Sequence, residues 1–309
     1  MRCLAARKLT SALMSSETIN LSLGTATPGG GFPFYGEALA RAVNQRDSSV
    51  YIACRNTKGS TENVPLLEQN ELDFALVQGE VAYEAFAGIG RLPAYLWIVA
   101  AMYSTPGMFA VRADSPVQTV TDLVGSRVAF GAKGSGLVIL NRYVLDGLGL
   151  VQDRDFDAVF LDKAGDGPDM VIDGRVAALW GGGTGWPGFV KIFSGPEGGR
   201  FITPTTLECD RILAKHAFLK PLTLSAGSYP GQPEAIASVG SWSLILARRS
   251  LSDGSAYNFV RALDRAHDAL VGEIDQATET TPQNTIAAAP RRDLIHPGAL
   301  RYFEEIGLI

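Results

Sequence analysis

From Ile19 onward, short apolar runs alternate with segments of helical period, and this alternation constrains the fold more than any other feature of the chain. A mainly parallel sheet covered by helices uses such a pattern, because each strand must be carried back by a crossover before the next can lie beside it. The runs that read as strands are INLSLGT, SVYIACR, DFALVQ, LWIVAAMY, GMFAVRA, RVAFGA, DAVFL, VAALWGG and SWSLILARR. Ser104 to Gly107 is read as a turn separating LWIVAAMY from GMFAVRA. After the first strand, Tyr35, Ala38, Leu39, Ala42 and Val43 fall at helical spacing and predict a buried face. Near the C-terminus Phe259, Val260, Leu263, Leu270 and Ile274 form a similar stripe between Arg261, Asp264, Arg265 and Asp268.

A chain of 309 residues, 46% of them hydrophobic and 19% charged, can build more than one core. If the extended runs around GMFAVRA and SWSLILARR cross between two lobes, the first lobe holds about 19–112 and 237–309, with a second, inserted lobe over about 113–236. Two crossings make a hinge, and hinge closure on a ligand is one established use of such a design. The expected fold class is α/β with two lobes, mixed or parallel sheets and a two-segment hinge. Residues 1–18 are left as an N-terminal tail or a degraded secretion signal, since Arg2, Arg7 and Lys8 give a basic start but Thr10 and Ser11 break the apolar centre.

Several function classes are disfavoured at once. A net charge of -5 lacks the lysine and arginine excess that neutralising phosphates requires, so no nucleic-acid partner is expected. The uncharged span Leu92–Val111 is long enough to cross a bilayer, but Pro93 and Ser104-Thr105-Pro106-Gly107 interrupt it, so no membrane insertion is expected. Cys54 and Cys209 have no metal or redox spacing and read as free thiols. His216, His267 and His296 share no metal spacing, and no GxSxG elbow is present, so no catalytic residue, metal or cofactor is assigned.

What remains is a strand, a glycine-rich turn and a helix start, built three times: GTATPGGGF, TKGSTEN and AKGSG. The first amides of a helix lack intrahelical partners and sit at the positive end of its dipole, so such turns attract anions, and glycine admits the ligand to the main chain. In the first turn Thr25, Ala26 and Thr27 offer donors and Phe32 a wall. In the second, Thr57, Lys58, Gly59, Ser60 and Asn63 are candidates, with Ser60 read as the cap. In the third, Lys133 adds charge beside Gly134, Ser135 and Gly136. Any one of these turns also reads as an ordinary cap; three together, gathered at the carboxyl edge of a parallel sheet, point to a ligand. None matches GxxxxGK[ST] or GxGxxG. Gln78, at the end of DFALVQ, Tyr103, and Trp180 with Gly182 in ALWGGGTGWPG complete the candidates, and AGSYPGQ reads as a turn at the hinge rim.

The segments INLSLGTATPGGGFPFYGEALARAV, RNTKGSTENVPLLEQNELDFALVQGEVAYEAF, DLVGSRVAFGAKGSG, AGSYPGQ and IHPGALRYFEEIGL occur in the order found in TAXI-type solute receptors of TRAP transporters, and the chain resembles that family over about 20–309. The resemblance implies a type II periplasmic-binding-protein-like fold that closes on a small anionic or zwitterionic solute, a dicarboxylate or an acidic amino acid such as glutamate. It further implies a periplasmic monomer that hands its solute to membrane-embedded TRAP subunits. The family's pocket loops map onto Thr25 to Thr27 with Phe32, Thr57 to Asn63, Gln78, Tyr103 and Lys133 to Gly136. His296, within IHPGAL, is expected to fix the start of the last helix instead of touching solute. Two other readings stay open: a transferase using Lys58 or Lys133 on a bound acid, and a ligand sensor docking on a membrane kinase.

Overall fold

The computed structural model describes residues 18–309, so the expected N-terminal tail or signal lies outside the described residues except for Thr18. The strands β1 (Ile19–Gly24), β2 (Val50–Arg55) and β3 (Phe74–Val77) pair in parallel in the order β2-β1-β3, connected by helices α1 (Gly31–Arg46) and α2 (Ser60–Glu68). Helix α3 (Gly79–Ala87) leads to β4 (Trp97–Arg112). A second parallel group, β7-β5-β6, is made by β5 (Arg127–Ala132), β6 (Asp157–Leu161) and β7 (Ala178–Gly182), with helix α4 (Gly136–Gly147) leaving β5. Two short strands, β8 (Gly199–Ile202) and β9 (Lys220–Leu224), pair antiparallel with β4 and β10 (Ile236–Ala247) respectively.

β4 joins the two groups, pairing with β10 at one end and with β7 at the other, and β10 joins β3 to β4. Over Gly240–Ala247, β10 runs antiparallel to Trp97–Pro106 of β4, and its last residues also pair with β3. Past that stretch the two diverge: Gly107–Arg112 of β4 pairs with β7 and β8, while Ile236–Gly240 of β10 pairs with β9. The protein is thus an α/β fold of two lobes with mixed sheets and a two-segment hinge, and the hinge segments are strands. The expected turn at Ser104–Gly107 is corrected here, since β4 is one continuous strand through it. Proline removes a ladder donor and glycine weakens a strand, but Pro106 stands opposite Gly240 where β4 exchanges partners. Gly240 is required by packing: a Cβ there would lie 1.9 Å from the Thr105 carbonyl oxygen.

The helical stripes pack as their spacing predicts. Tyr35, Leu39 and Val43 of α1 are fully buried against Leu23 and Phe74, and Phe259 stacks on Phe74 with ring centroids 4.2 Å apart. Burying each such side chain is worth about 1.5–3 kcal/mol. The C-terminal stripe is divided between two helices, Asp253–Arg265 and His267–Glu273. In the other lobe Phe109, Phe130 and Trp180 form the centre of a separate core. His296 caps the last helix, its Nδ1 accepting from the Gly298 amide at 3.1 Å. Strands β8 and β9 escaped the sequence reading because GRFI and KPLTL are short and mostly part-exposed.

Candidate functional site

The parallel strands of both lobes end at one gap. β1, β2 and β3 deliver the turns before α1 and α2 and the residue Gln78; β5 and β7 deliver the start of α4 and the loop after Gly182. Between them lies a cavity with about 70 Å³ of room for the centres of water-sized spheres, enough for a small solute. Ala26, Thr27, Phe32, Lys58, Gly59, Ser60, Gln78 and Tyr103 line it from one lobe, and Ser135, Gly136, Trp180 and Gly182 from the other.

The second turn does not work as its sequence suggests. Gly59, at φ 117° and ψ -162°, is the residue before α2 and its carbonyl accepts from the amides of Glu62 and Asn63. That conformation is open essentially to glycine alone. Ser60 is therefore the first helical residue and not the cap. Its Oγ accepts from the Gln78 amide at 3.0 Å, tying α2 to the end of β3 and leaving the hydroxyl proton for another acceptor. In the third turn Ser135 does cap, its Oγ accepting from the Leu137 amide at 3.2 Å. The amides of Ser60 and Gly136, first in their helices, have no acceptor among the described residues.

Gln78 is 3% exposed. Its Oε1 accepts from the hydroxyls of Ser243 and, at 3.5 Å, Thr105, whereas its Nε2 has no partner among the described residues. A buried amide nitrogen left without an acceptor is costly, and a ligand oxygen would relieve that cost. Tyr103, also buried, lies edge-on to Tyr35 with centroids 5.2 Å apart, and burial raises its phenol well above the ordinary range, so it remains a hydroxyl. The indole of Trp180 donates to Leu137 O at 2.8 Å and that of Trp186 to Gly29 O at 3.0 Å, so both present only ring surface.

Other expected contacts are not brought to the cavity. Thr25, Thr57 and Asn63 are buried behind it: Thr57 Oγ1 and Asn63 Nδ2 both donate to the Thr25 carbonyl, at 3.2 and 2.8 Å, bracing the first two turns against each other. Lys133 is turned outward, its side chain 68% exposed and paired with Asp162 at 2.9 Å. Gly134 packs on Lys58, its carbonyl accepting from the Thr61 amide at 3.3 Å and the Thr61 hydroxyl at 3.0 Å. Lys58 itself sits at the rim, 80% exposed and 3.9 Å from Glu62.

Sequence reading passed over Leu137, Leu161, Ala164 and Leu179, which line the cavity. Nothing distinguishes them in sequence from core residues. It also gave Tyr229 no role beyond a turn, yet that buried phenol donates to Gly183 O at 2.9 Å and accepts from the Trp186 amide at 3.0 Å, which fixes the loop carrying Trp186.

The two lobes are shut. Thr27 Oγ1 accepts from the Ala164 amide at 3.2 Å, Gln276 Oε1 from the Thr184 amide at 3.3 Å, and Glu84 from the Tyr143 hydroxyl at 2.7 Å. Tyr83 stacks on Phe218 with centroids 4.0 Å apart and planes within 7°. Glycines allow the approach: an added Cβ would meet Lys58 O at 2.4 Å from Gly134, and Gln78 Cβ at 2.4 Å from Gly136.

Residues 23–307 match a single protein family along nearly the whole chain. The chain belongs to the NMT1-like family. This NMT1-like protein is similar in structure to the periplasmic aliphatic sulphonate binding protein SsuA from Escherichia coli, at TM-score 0.50 and 17% identity over 94% of each chain. The alkanesulfonate-binding SsuA from Xanthomonas axonopodis pv. citri, bound to MOPS, matches at TM-score 0.51 and 17% identity over 95% of each chain. A TctC solute binding protein from Polaromonas matches at TM-score 0.52 and 14% identity, over 96% of this chain and 100% of its own. Structural likeness at such identities shows the fold alone, that of the two-lobed periplasmic binding proteins. No helix among the described residues is long and apolar enough to cross a membrane.

Proposed function

We propose that this NMT1-like chain is a solute receptor that closes two lobes, about 19–112 with 237–309 and about 113–236, on a small carboxylate. The observation that carries the reading is the convergence on one cavity of free helix-start amides from opposite lobes, beside the buried and unpartnered Nε2 of Gln78. Each hydrogen bond to a charged oxygen contributes about 1.5–3 kcal/mol net, so three or four supply about 4.5–12 kcal/mol before the ordering cost, and burial of the solute's apolar surface adds the remainder that micromolar affinity needs. Because the donors come from both lobes, a solute gains most from the closed state and drives closure by that difference.

The resemblance to TAXI-type receptors extends the reading to a periplasmic monomer that serves membrane-embedded TRAP subunits, with a dicarboxylate or an acidic amino acid such as glutamate as the family's usual cargo. The similar structures whose names describe solute binding support the coarser part of it. The transferase reading draws no support from the geometry. Lys58 and Lys133 are mostly exposed and ion-paired, and burial pushes the Cys54 thiol up to about 11. Among the described residues, neither a desolvated amine nor a ready thiolate faces the cavity.

Calorimetry with a panel of small carboxylates tests the proposal, with native mass spectrometry of freshly purified protein to identify retained solute. Ser60→Ala should weaken the best binder about tenfold, the worth of one hydroxyl to a charged oxygen. An unchanged affinity would remove the Ser60 hydroxyl from the site.

A further inference from the structure

The charge balance of the cavity narrows the solute. Among the described residues that line it, Lys58 is the one that carries charge, and it stands at the rim. No aspartate or glutamate among the described residues reaches the lining, so an ammonium group inside would be buried without a counter-charge, which is strongly unfavourable. The Gln78 Oε1 that could accept from it is already bonded to hydroxyls of Ser243 and Thr105.

The donors are sufficient for one anionic head. The amides of Ser60 and Gly136, the Ser60 hydroxyl and Gln78 Nε2 gather where the two helix starts face each other. Elsewhere the walls are Phe32, Leu161, Leu179, Trp180 and Trp186, and both indole N–H groups are spent on carbonyls. At the other end Thr27 and Tyr103 add neutral hydroxyls beside Gly31, the first residue of α1, whose amide likewise has no acceptor among the described residues, so that end suits a hydroxyl, keto or second carboxylate oxygen.

We infer that the solute is a carboxylate or dicarboxylate that carries no ammonium group, an inference that rests on the receptor reading above. Two matched pairs test it: 4-methylpentanoate against leucine and glutarate against glutamate, each amino acid adding only the ammonium. In titration calorimetry of the full chain, the ammonium-free member of the pair that binds should bind at least about tenfold more tightly than its amino acid. Leucine or glutamate binding as well as or better than its partner overturns the inference while leaving a receptor. If all four are silent but mass spectrometry finds a retained solute, a solute with an ammonium group overturns it and an ammonium-free acid supports it. A protein that neither binds nor retains any small molecule removes the receptor reading and this inference with it. Ala164→Asp gives a gain-of-binding arm: a carboxylate on the wall should shift the leucine to 4-methylpentanoate affinity ratio toward leucine by about tenfold, and an unchanged ratio counts against the charge argument.

Discussion

Gly134 shows how a residue can matter to a site without touching what the site holds. In the sequence it stands in a glycine-serine turn beside Lys133 and reads as an anion donor. In the structure a Cβ there would meet the Lys58 carbonyl of the other lobe at 2.4 Å, while its own φ is not in the glycine-only range, so bulk is forbidden by closure alone. Gly134→Val should therefore raise the solute Kd more than about tenfold and leave the melting temperature of the solute-free protein within about 2 °C, because only the shut state is obstructed. Differential scanning fluorimetry with and without solute reads both quantities. Residue types singled out the three turns, and they could not say which way each side chain faces. Thr25, Thr57 and Asn63 carry the right chemistry but spend it on one another, and Lys133 has a nearer partner in Asp162.

Among the elements, the hinge strands hold the least expected feature. Two apolar runs with Pro106 and Gly107 between them look like two strands and a turn, since periodicity alone does not reveal that a strand is changing partners. Packed against β10 is Glu80 in the first turn of α3, fully buried, with Ser241 donating to Oε2 and no partner for Oε1 among the described residues. Desolvation pushes this carboxyl up to about 7, from an ordinary 4.5, with a smaller contribution from Glu84 and against the opposing pull of the Ser241 bond. The folded protein then binds the proton more tightly than the unfolded chain. Stability from this group is fully present below about pH 4.5 and is lost as pH rises through about 7. Glu80→Gln should flatten that slope and leave the variant more stable than the parent at pH 8 by about 1–3 kcal/mol in urea titrations. A parent whose stability does not fall across this window would show that the carboxyl is solvated.

At the scale of the molecule, the α/β class, the two lobes and the buried helix stripes were legible because burial leaves a periodic trace in sequence. The cavity's apolar wall was not, since Leu137, Leu161 and Leu179 differ from core leucines only in what lies opposite them. Contacts between the lobes were also invisible, being made by residues far apart in the chain. The Tyr83–Phe218 stack is one of them, and such a pair is worth about 0.5–1.5 kcal/mol beyond its buried area. Phe218→Ala should shift the population toward the open form, weakening solute binding about two- to tenfold and enlarging the radius of gyration seen by small-angle scattering without solute. An unaltered scattering curve and Kd would show that the stack does not hold the lobes.

The antiparallel neighbour of β3 is β10, which begins at Ile236. A nascent chain leaving the ribosome therefore carries β1, β2 and β3 with an unfilled sheet edge until most of its length has been translated, whereas the strands from β5 to β8 can assemble as they emerge. The part of the molecule made first is thus completed last, and until then its open edge is a template on which another chain could pair.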